Sequence, residues 1–263
     1  MPDDKNPKIV TKGASPMVSD LLPEIRSQFQ FVKDYASSPK YKERLSKMVN
    51  AERNLQQPLS AQPFVNEVMS GSRTDAPTDV VVSDIMNNNG QRLNALSQGK
   101  ISISDTDLGR NTAGGYDSSY KDVRLNEDLT RANPTVPAHE FSHAINNGQQ
   151  PYSPAFDEKY LKKIFIPPTN SRFEGEVQKP TEVKARLDAI RYLGAKKGIF
   201  DAGKTDFTPQ DFRKLMKDKE ISNDYNFKQI LDQLPKDRQE KGFVWLMNEI
   251  ASNNQPSANE DLV

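Results

Sequence analysis

The chain has no cysteine, and it has only two histidines among its 263 residues. The absence of cysteine excludes disulfides, thiolate metal ligands and a cysteine nucleophile. Any metal ligand must therefore be a histidine, an aspartate, a glutamate or water. The sequence also lacks an apolar run as long as a membrane span, and its amino terminus has no apolar segment typical of a secretory signal. We therefore expect a cytoplasmic protein without membrane attachment.

An excess of charge of either sign is also missing, because Lys+Arg and Asp+Glu both number 36. This balance argues against a protein whose main partner is nucleic acid or an anionic membrane. Hydrophobic residues make up 35% of the chain and its mean hydropathy is -0.78, so we expect a polar surface. A chain of this length can still bury a sizeable core, as one domain or as one domain with helical additions.

Both histidines lie in one H-E-x-x-H motif, formed by His139, Glu140 and His143. Positions four apart share one face of an α-helix, so the two imidazoles can bind one Zn²⁺ together. Glu140 follows the first histidine, where its carboxylate can reach a metal-bound water and take its proton. The alternative is a helix with two structural histidines and a solvated glutamate. The placement of both histidines in this motif favours the metal site.

The neighbouring residues predict a helix around the motif. Thr135 can serve as its N-cap, and Pro137 suits the first turn, where a missing N–H is tolerated. Phe141, Ala144 and Ile145 supply an apolar face. Residues 146–148 read Asn-Asn-Gly, which is typical of a helix end.

A third protein ligand is expected, because catalytic zinc sites use three and leave the fourth position to water. With no cysteine and no further histidine, this ligand must be a carboxylate. The candidates after the motif are Asp157, Glu158, Glu174, Glu176, Glu182 and Asp188. We favour Glu182, because it begins a strongly patterned helix over residues 179–194, and a rigid helix holds a ligand in one direction. Alternatively, Glu182 complements the helix dipole or pairs with Arg186.

Strand patterns precede the motif, and helical patterns lie on both sides of this region. Short strands are predicted at residues 80–82, 101–104 and 119–126, the last of which could offer its backbone to an extended peptide. Residues 105–115 read as a loop. Helices are predicted at 21–35, at 37–48 with Ser38 as cap, at 207–216 with Thr208 as cap, and at 226–234 and 241–251. A strand followed by the motif helix is the order that an α+β zinc peptidase needs.

The motif helix and the later helix with Glu182 together resemble the gluzincin group of zinc metallopeptidases. Residues 114–195 also resemble zincin-type proteins encoded by tailed phages, including crAss-like phages of Bacteroidetes. The matching segments are G-x-Y at 114–116, H-E-x-x-H-A at 139–144 and P-x-E-x-x-A-R at 180–186. One position departs from the thermolysin-like pattern E-x-x-x-D, because Arg186 stands where that pattern has an aspartate, so support for the ligands must come from elsewhere.

The resemblance implies an α+β, zincin-like core with helical additions, a Zn²⁺ cofactor and a peptide or protein substrate. It also implies a protein carried in or on a phage virion, with other virion proteins as partners. We accordingly divide the chain into a flexible tail (1–15), an N-terminal helical region (16–79), a zincin-like core (80–195), a C-terminal helical region (196–252) and a second tail (253–263).

In the enzyme hypothesis, His139, His143 and Glu182 hold zinc, and Glu140 is the general base that passes a proton to the leaving amine. Tyr116, Tyr152 and Tyr192 are candidates for stabilising the oxyanion. The alternative hypothesis is a structural or packaged virion protein with a zincin-like fold and little or no activity. The intact Glu140 argues against it, because a structural site needs no general base. A third hypothesis, a metal-free helical scaffold, makes the placement of the histidines a coincidence.

Overall fold

The computed structural model describes residues 8–11, 16–54, 77–98, 100–104, 112–117, 122–145, 162–167 and 177–248. This part of the chain is mixed α+β and mostly helical, with a small sheet. The strands are β1 (Lys8–Thr11), β2 (Lys100–Ser104), β3 (Gly114–Asp117) and β4 (Asp122–Asn126). The helices before the middle of the chain are α1 (Leu22–Ala36), α2 (Pro39–Asn54), α3 (Thr78–Gln98), α4 (Glu127–Ala132) and α5 (Val136–Ile145). Those after it are α6 (Pro180–Lys196), α7 (Pro209–Lys217), α8 (Lys219–Asn223), α9 (Tyr225–Asp232) and α10 (Gln239–Met247). Short 3₁₀ helices occur at Pro16–Leu21 and Lys236–Arg238, and a single helical turn occurs at Lys162–Ile164.

The four strands lie in the order β1-β2-β4-β3. β1 pairs in parallel with β2, and β2 pairs in parallel with β4. β3 pairs antiparallel with β4, with Gly114 opposite Leu125 and Tyr116 opposite Val123. β4 therefore has a neighbour on each side, and β3 lies at an edge of the described sheet.

The motif helix α5 is central to the core. It packs against α1, α3 and α6 and also against β3 and β4. Ala138 and Phe141 are fully buried, and the ring of Phe141 packs edge-on against Phe29 of α1. Burial on several sides fixes the direction of the polar face of α5. In the described ranges, no helix has the length and apolar character needed to cross a membrane.

Several helix predictions are confirmed. α1 and α2 occupy the predicted positions, and the Ser38 hydroxyl accepts the Tyr41 N–H at 3.1 Å as a cap. α7 is preceded by the predicted cap Thr208, which forms a reciprocal capping box with Asp211. α9 and α10 overlap the helices predicted at 226–234 and 241–251, and they begin one and two residues before the predicted starts. Helices α7 to α10 account for the predicted C-terminal helical character.

Two predictions of secondary structure are wrong. Residues 80–82 were predicted as a strand, but they belong to α3, because Val81, Val82 and Ile85 are buried at helical spacing. A three-residue apolar run does not distinguish a strand from a helix. Residues 8–11 were assigned to a flexible tail, but they form β1, in which Ile9 pairs with Ile101. The remaining tail residues, 1–7, 12–15 and 253–263, lie outside the described residues.

Two smaller boundaries also differ from the predictions. Residues 114 and 115 were placed in a loop but belong to β3. Gly194 was predicted to end its helix, yet α6 continues to Lys196 and the positive φ of 65° occurs at Gly198. Gly194 is instead needed for packing, because a Cβ there would lie 2.1 Å from the Phe200 ring.

Candidate metal centre

Three side chains that could bind a metal converge where α5 meets α6. The Nε2 atoms of His139 and His143 are 3.1 Å apart. His139 Nε2 lies 3.3 Å from Glu182 Oε2, and His143 Nε2 lies 3.2 Å from Glu182 Oε1. One donor atom from each residue falls within 4.8 Å of the others. The structure therefore brings together the three residues that the sequence predicted as ligands.

The donor spacing suits a tetrahedral ion. Donors bound to zinc at about 2.0–2.1 Å in a tetrahedron lie about 3.3–3.4 Å from one another. The 3.1 Å between the two Nε2 atoms is close to this value, and each histidine lies at a similar distance, 3.3 or 3.2 Å, from a different oxygen of Glu182. Two imidazoles and a carboxylate are also a ligand set that zinc accepts, so the residues fit the metal that the motif predicts.

The electrostatics favour a neutral His139 beside an ionised Glu182, whereas the carboxylates near His143 favour its protonated form. Burial lowers the pKa of His139 to about 4, so this ring is neutral at pH 7. Burial also lowers the pKa of His143, but hydrogen bonding to Glu182 and the nearby carboxylates outweigh it and raise the pKa overall. Burial raises the pKa of Glu182, yet its bonds to the two histidines hold the pKa well below its usual range. Metal ligation requires neutral imidazole and ionised carboxylate.

Glu140 is buried beside the three donors and faces β3. Its residue is only 6% exposed, and burial raises the pKa of its carboxyl to about 7. The backbone of Gly114 approaches it so closely that a Cβ there would lie 2.7 Å from Glu140 Cγ and 2.8 Å from Oε1. A carboxyl that titrates near neutral pH suits a general base. The glycine of the G-x-Y segment therefore makes room for Glu140.

The same residues line one cavity of about 390 Å³. Its wall is formed by Gly114, Gly115, Tyr116, His139, Glu140, His143, Thr181 and Glu182. The candidate donors, the candidate base and the edge strand thus share one space.

The start of α5 is held by a different residue from the one predicted. Thr135 precedes the helix, but its hydroxyl donates to Asp224 at 2.7 Å. The N–H of Ala138 in the first turn donates instead to Gln28 Oε1 at 2.8 Å, and Gln28 Nε2 donates to the Pro134 carbonyl at 2.6 Å. A buried glutamine from α1 therefore supplies hydrogen-bond partners to backbone groups at the start of the motif helix, which have none within the helix.

Glu182 also forms the predicted pair with Arg186, whose NH2 donates to Oε2 at 3.3 Å. Asp188, another candidate ligand, lies in a separate buried network, where it accepts the Ser142 hydroxyl at 2.6 Å and Arg191 NH1 at 2.7 Å. Asp188 is therefore excluded from the donor cluster. The other candidates, Asp157, Glu158, Glu174 and Glu176, lie outside the described residues.

Of the three candidate tyrosines, only Tyr116 lines this cavity among the described residues. Burial raises its pKa, so its hydroxyl keeps its proton at neutral pH. Tyr192 is directed elsewhere, because its hydroxyl donates to Glu24 of α1 at 2.6 Å. Tyr152 and the predicted helix end at 146–148 lie outside the described residues.

The strand beside the cavity differs from the predicted one. We expected residues 119–126 to offer backbone groups to a peptide, but β4 is hydrogen-bonded to β2 on one side and β3 on the other. β3 borders the cavity instead, and among the described strands only β4 pairs with it. The strand prediction itself is confirmed for Asp122–Asn126, while residues 118–121 lie outside the described ranges.

Sequence reasoning missed Gln28 and Asn226, which support the site from other helices. Gln28 lies in α1, and Asn226 lies in α9, where its amide bonds Thr135 and Arg186. Each acts on residues at least 40 positions away. Neither occurs in a local pattern that indicates such a role, so only the folded structure reveals it.

Comparison with known proteins adds no further identification. No protein family, no curated protein and no solved structure matches the chain. The gluzincin resemblance therefore rests on the sequence motifs alone.

Proposed function

We propose that the protein is a zinc-dependent metallopeptidase. The observation that carries this proposal is the convergence of His139, His143 and Glu182, whose donor atoms lie within 4.8 Å of one another, with the buried Glu140 in the same cavity. A site that bound a metal only to stabilise the fold would not need the Glu140 carboxylate beside the three ligands. Structural zinc sites are also usually closed by four protein ligands, whereas three ligands leave a position for water.

In this proposal His139, His143 and Glu182 bind Zn²⁺. The ion, when bound, lowers the pKa of a coordinated water and polarises the carbonyl of the bond to be cleaved. Glu140 accepts the proton of the attacking water and delivers it to the nitrogen of the leaving amine. Tyr116 is the favoured described residue for donating a hydrogen bond to the developing oxyanion, because its hydroxyl is protonated and the residue lines the cavity.

The edge strand β3 supports a peptide as substrate. An extended peptide can pair with an exposed strand edge through backbone hydrogen bonds, which depend little on sequence. β3 runs along the cavity that contains Glu140 and the three donors. A peptide paired with β3 would therefore place one of its carbonyls near the proposed zinc site.

The test is zinc stoichiometry combined with cleavage of a mixed peptide library by the parent protein and Glu140→Gln. We expect about one zinc per chain in both proteins, because Glu140 is not a ligand. Peptide cleavage should fall by at least about 10²–10⁴-fold in Glu140→Gln, which keeps the size of the side chain but removes the proton acceptor.

A protein without zinc, or Glu140→Gln with parental activity, would refute the mechanism. Zinc binding by a parent that cleaves no peptide would favour the alternative, a structural protein with a zincin-like fold. Chelation should lower the melting temperature of the parent, and added zinc should restore it, because metal binding to the folded state stabilises that state.

A further inference from the structure

We propose that Arg186 and Asn226 are positioning residues that hold Glu182 in place for the metal, so that helix α9 of the C-terminal region is part of the metal centre. This inference rests on the proposed zinc site, but it does not require peptidase activity. It is carried by a hydrogen-bond chain that joins Glu182 to the start of α5.

The chain begins at the third candidate ligand. Oε2 of Glu182 accepts Arg186 NH2 at 3.3 Å, and the two oxygens face the two histidines. The side chain of Glu182 is 20% exposed and that of Arg186 only 8%. Arg186 thus contacts the carboxylate from the buried side, away from the cavity. A planar guanidinium with several N–H groups can hold a carboxylate and bond a second partner at the same time.

That second partner is Asn226. Arg186 NH1 donates to Asn226 Oδ1 at 3.2 Å, and the guanidinium lies over the Tyr225 ring, 5.5 Å from its centre. Both contacts come from the start of α9, and Asn226 is only 2% exposed. Arg186 is therefore fixed by α9 from two directions, which limits the positions that its contact with Glu182 can take.

Asn226 also reaches the helix that carries the histidines. Its Nδ2 donates to the Thr135 hydroxyl at 2.8 Å, and this hydroxyl donates to Asp224 at 2.7 Å. Asp224 in turn caps α9 by accepting the Phe227 N–H at 3.0 Å. Thr135 directly precedes α5, and its carbonyl accepts the His139 N–H at 3.2 Å. The side chain of Asn226 thus connects Thr135, at the start of α5, to Arg186, which contacts Glu182.

This arrangement supplies the support that the sequence left unassigned, since Arg186 replaces the aspartate of the thermolysin-like pattern. Residues that hydrogen-bond metal ligands fix their orientation, and removing such a residue typically weakens metal binding by about 10–100-fold. The network could instead stabilise only the fold. If the network positions Glu182, removing Asn226 should weaken zinc binding only when Glu182 is present. If the network stabilises only the fold, the loss of zinc affinity should be the same with and without Glu182.

The experiment measures zinc affinity by competition with a chromophoric chelator, using the full chain. Asn226→Ala removes the link, and Arg186→Lys keeps the charge but cannot bond two partners with the same planar geometry. Both should bind zinc about 10–100-fold more weakly than the parent. The matched control is Ile230→Val, a buried change on the same helix that lowers stability by losing packing without removing a polar contact. It should leave zinc affinity unchanged within about threefold.

The decisive arm repeats Asn226→Ala in a Glu182→Ala background. If Asn226 acts through Glu182, its effect on zinc affinity should disappear there, because the ligand it positions is gone. If Asn226→Ala does not fold, Arg186→Lys takes its place in both backgrounds. Parental affinity in both single variants, or an equal loss in both backgrounds, would overturn the inference and leave the proposed peptidase untouched. A parent that binds no zinc would overturn it together with the metal centre. Weakened binding that depends on Glu182 supports it even if the protein cleaves no peptide.

Discussion

Replacing Gly114 with alanine should damage the proposed general base while leaving the metal ligands intact. The new Cβ would lie 2.7 Å from Glu140 Cγ, 2.8 Å from Glu140 Oε1 and 2.9 Å from Val136 Cγ1. Ordinary van der Waals contact begins near 3.4 Å, so Glu140 Cγ must move by about 0.7 Å. Two of the three close atoms belong to Glu140, and one of them, Cγ, is bonded directly to the carboxyl carbon. The carboxylate must therefore move with it.

The displacement has two separate consequences. Overfilling a packed site typically destabilises a protein by about 1–3 kcal/mol, which should appear as a lower melting temperature. Misplacing a reacting group by about 1 Å can reduce the rate by about 100-fold. The three atoms nearest the new methyl group belong to Glu140 and Val136, and none belongs to His139, His143 or Glu182. Zinc content should therefore stay near one ion per chain.

The assay compares kcat, zinc content and melting temperature in the parent, Gly114→Ala and the control Gly90→Ala. Gly90 lies within α3, and a Cβ there would have no neighbour within 4 Å. Gly90→Ala should therefore leave activity unchanged and stabilise the helix by up to about 1 kcal/mol. A Gly114→Ala protein with parental kcat would refute the role of Glu140 as a positioned base. Parental stability would refute the close packing itself, whether or not a substrate has been found.

Three further predictions concern single side chains. Glu182→Ala should weaken zinc binding by orders of magnitude, whereas Glu176→Ala should not; the reverse result in a chelator competition would move the third ligand to Glu176. Gln28→Ala should destabilise the protein by about 1–3 kcal/mol in urea unfolding, because it leaves the Ala138 N–H and the Pro134 carbonyl unpaired. The control Gln30→Ala removes only an exposed bond to Asp34, and an equal loss there would contradict the capping role of Gln28. Tyr116→Phe should lower kcat by about 10²-fold with unchanged zinc content, and parental kcat would exclude Tyr116 as the oxyanion donor.

The features that the sequence predicted well depend only on residues that are close together in the chain. Ser38 and Pro39 mark the start of α2, and Thr208 marks the start of α7, because a cap and its target are only three positions apart. The pair His139 and His143 needs only the pitch of one helix to share a face. Glu182 was found by adding ligand count to a strong helix pattern, although its use as a ligand stays a prediction.

The features that were missed depend on contacts between distant segments. β1 exists because residues 8–11 pair with β2, about 90 positions later in the chain. Val81 and Val82 became helical because the whole of α3 presents a buried face, which a three-residue run does not reveal. Thr135 was predicted to cap α5, but Asn226 and Asp224 occupy its hydroxyl. Zinc binding, peptidase activity and virion association also stay predictions.

The order of the strands has a consequence for how the protein could evolve. None of the three proposed ligands lies on the sheet, since two come from α5 and one from α6. β3 lies at the edge of the described sheet, and β4, which leads toward α5, keeps its pairing with β2 whatever residues β3 carries. Mutations in β3 could therefore alter which peptides are accepted without loss of the metal. Gly114 is the exception, because any side chain there meets Glu140, and selection for a new substrate would have to act on the other positions of that strand.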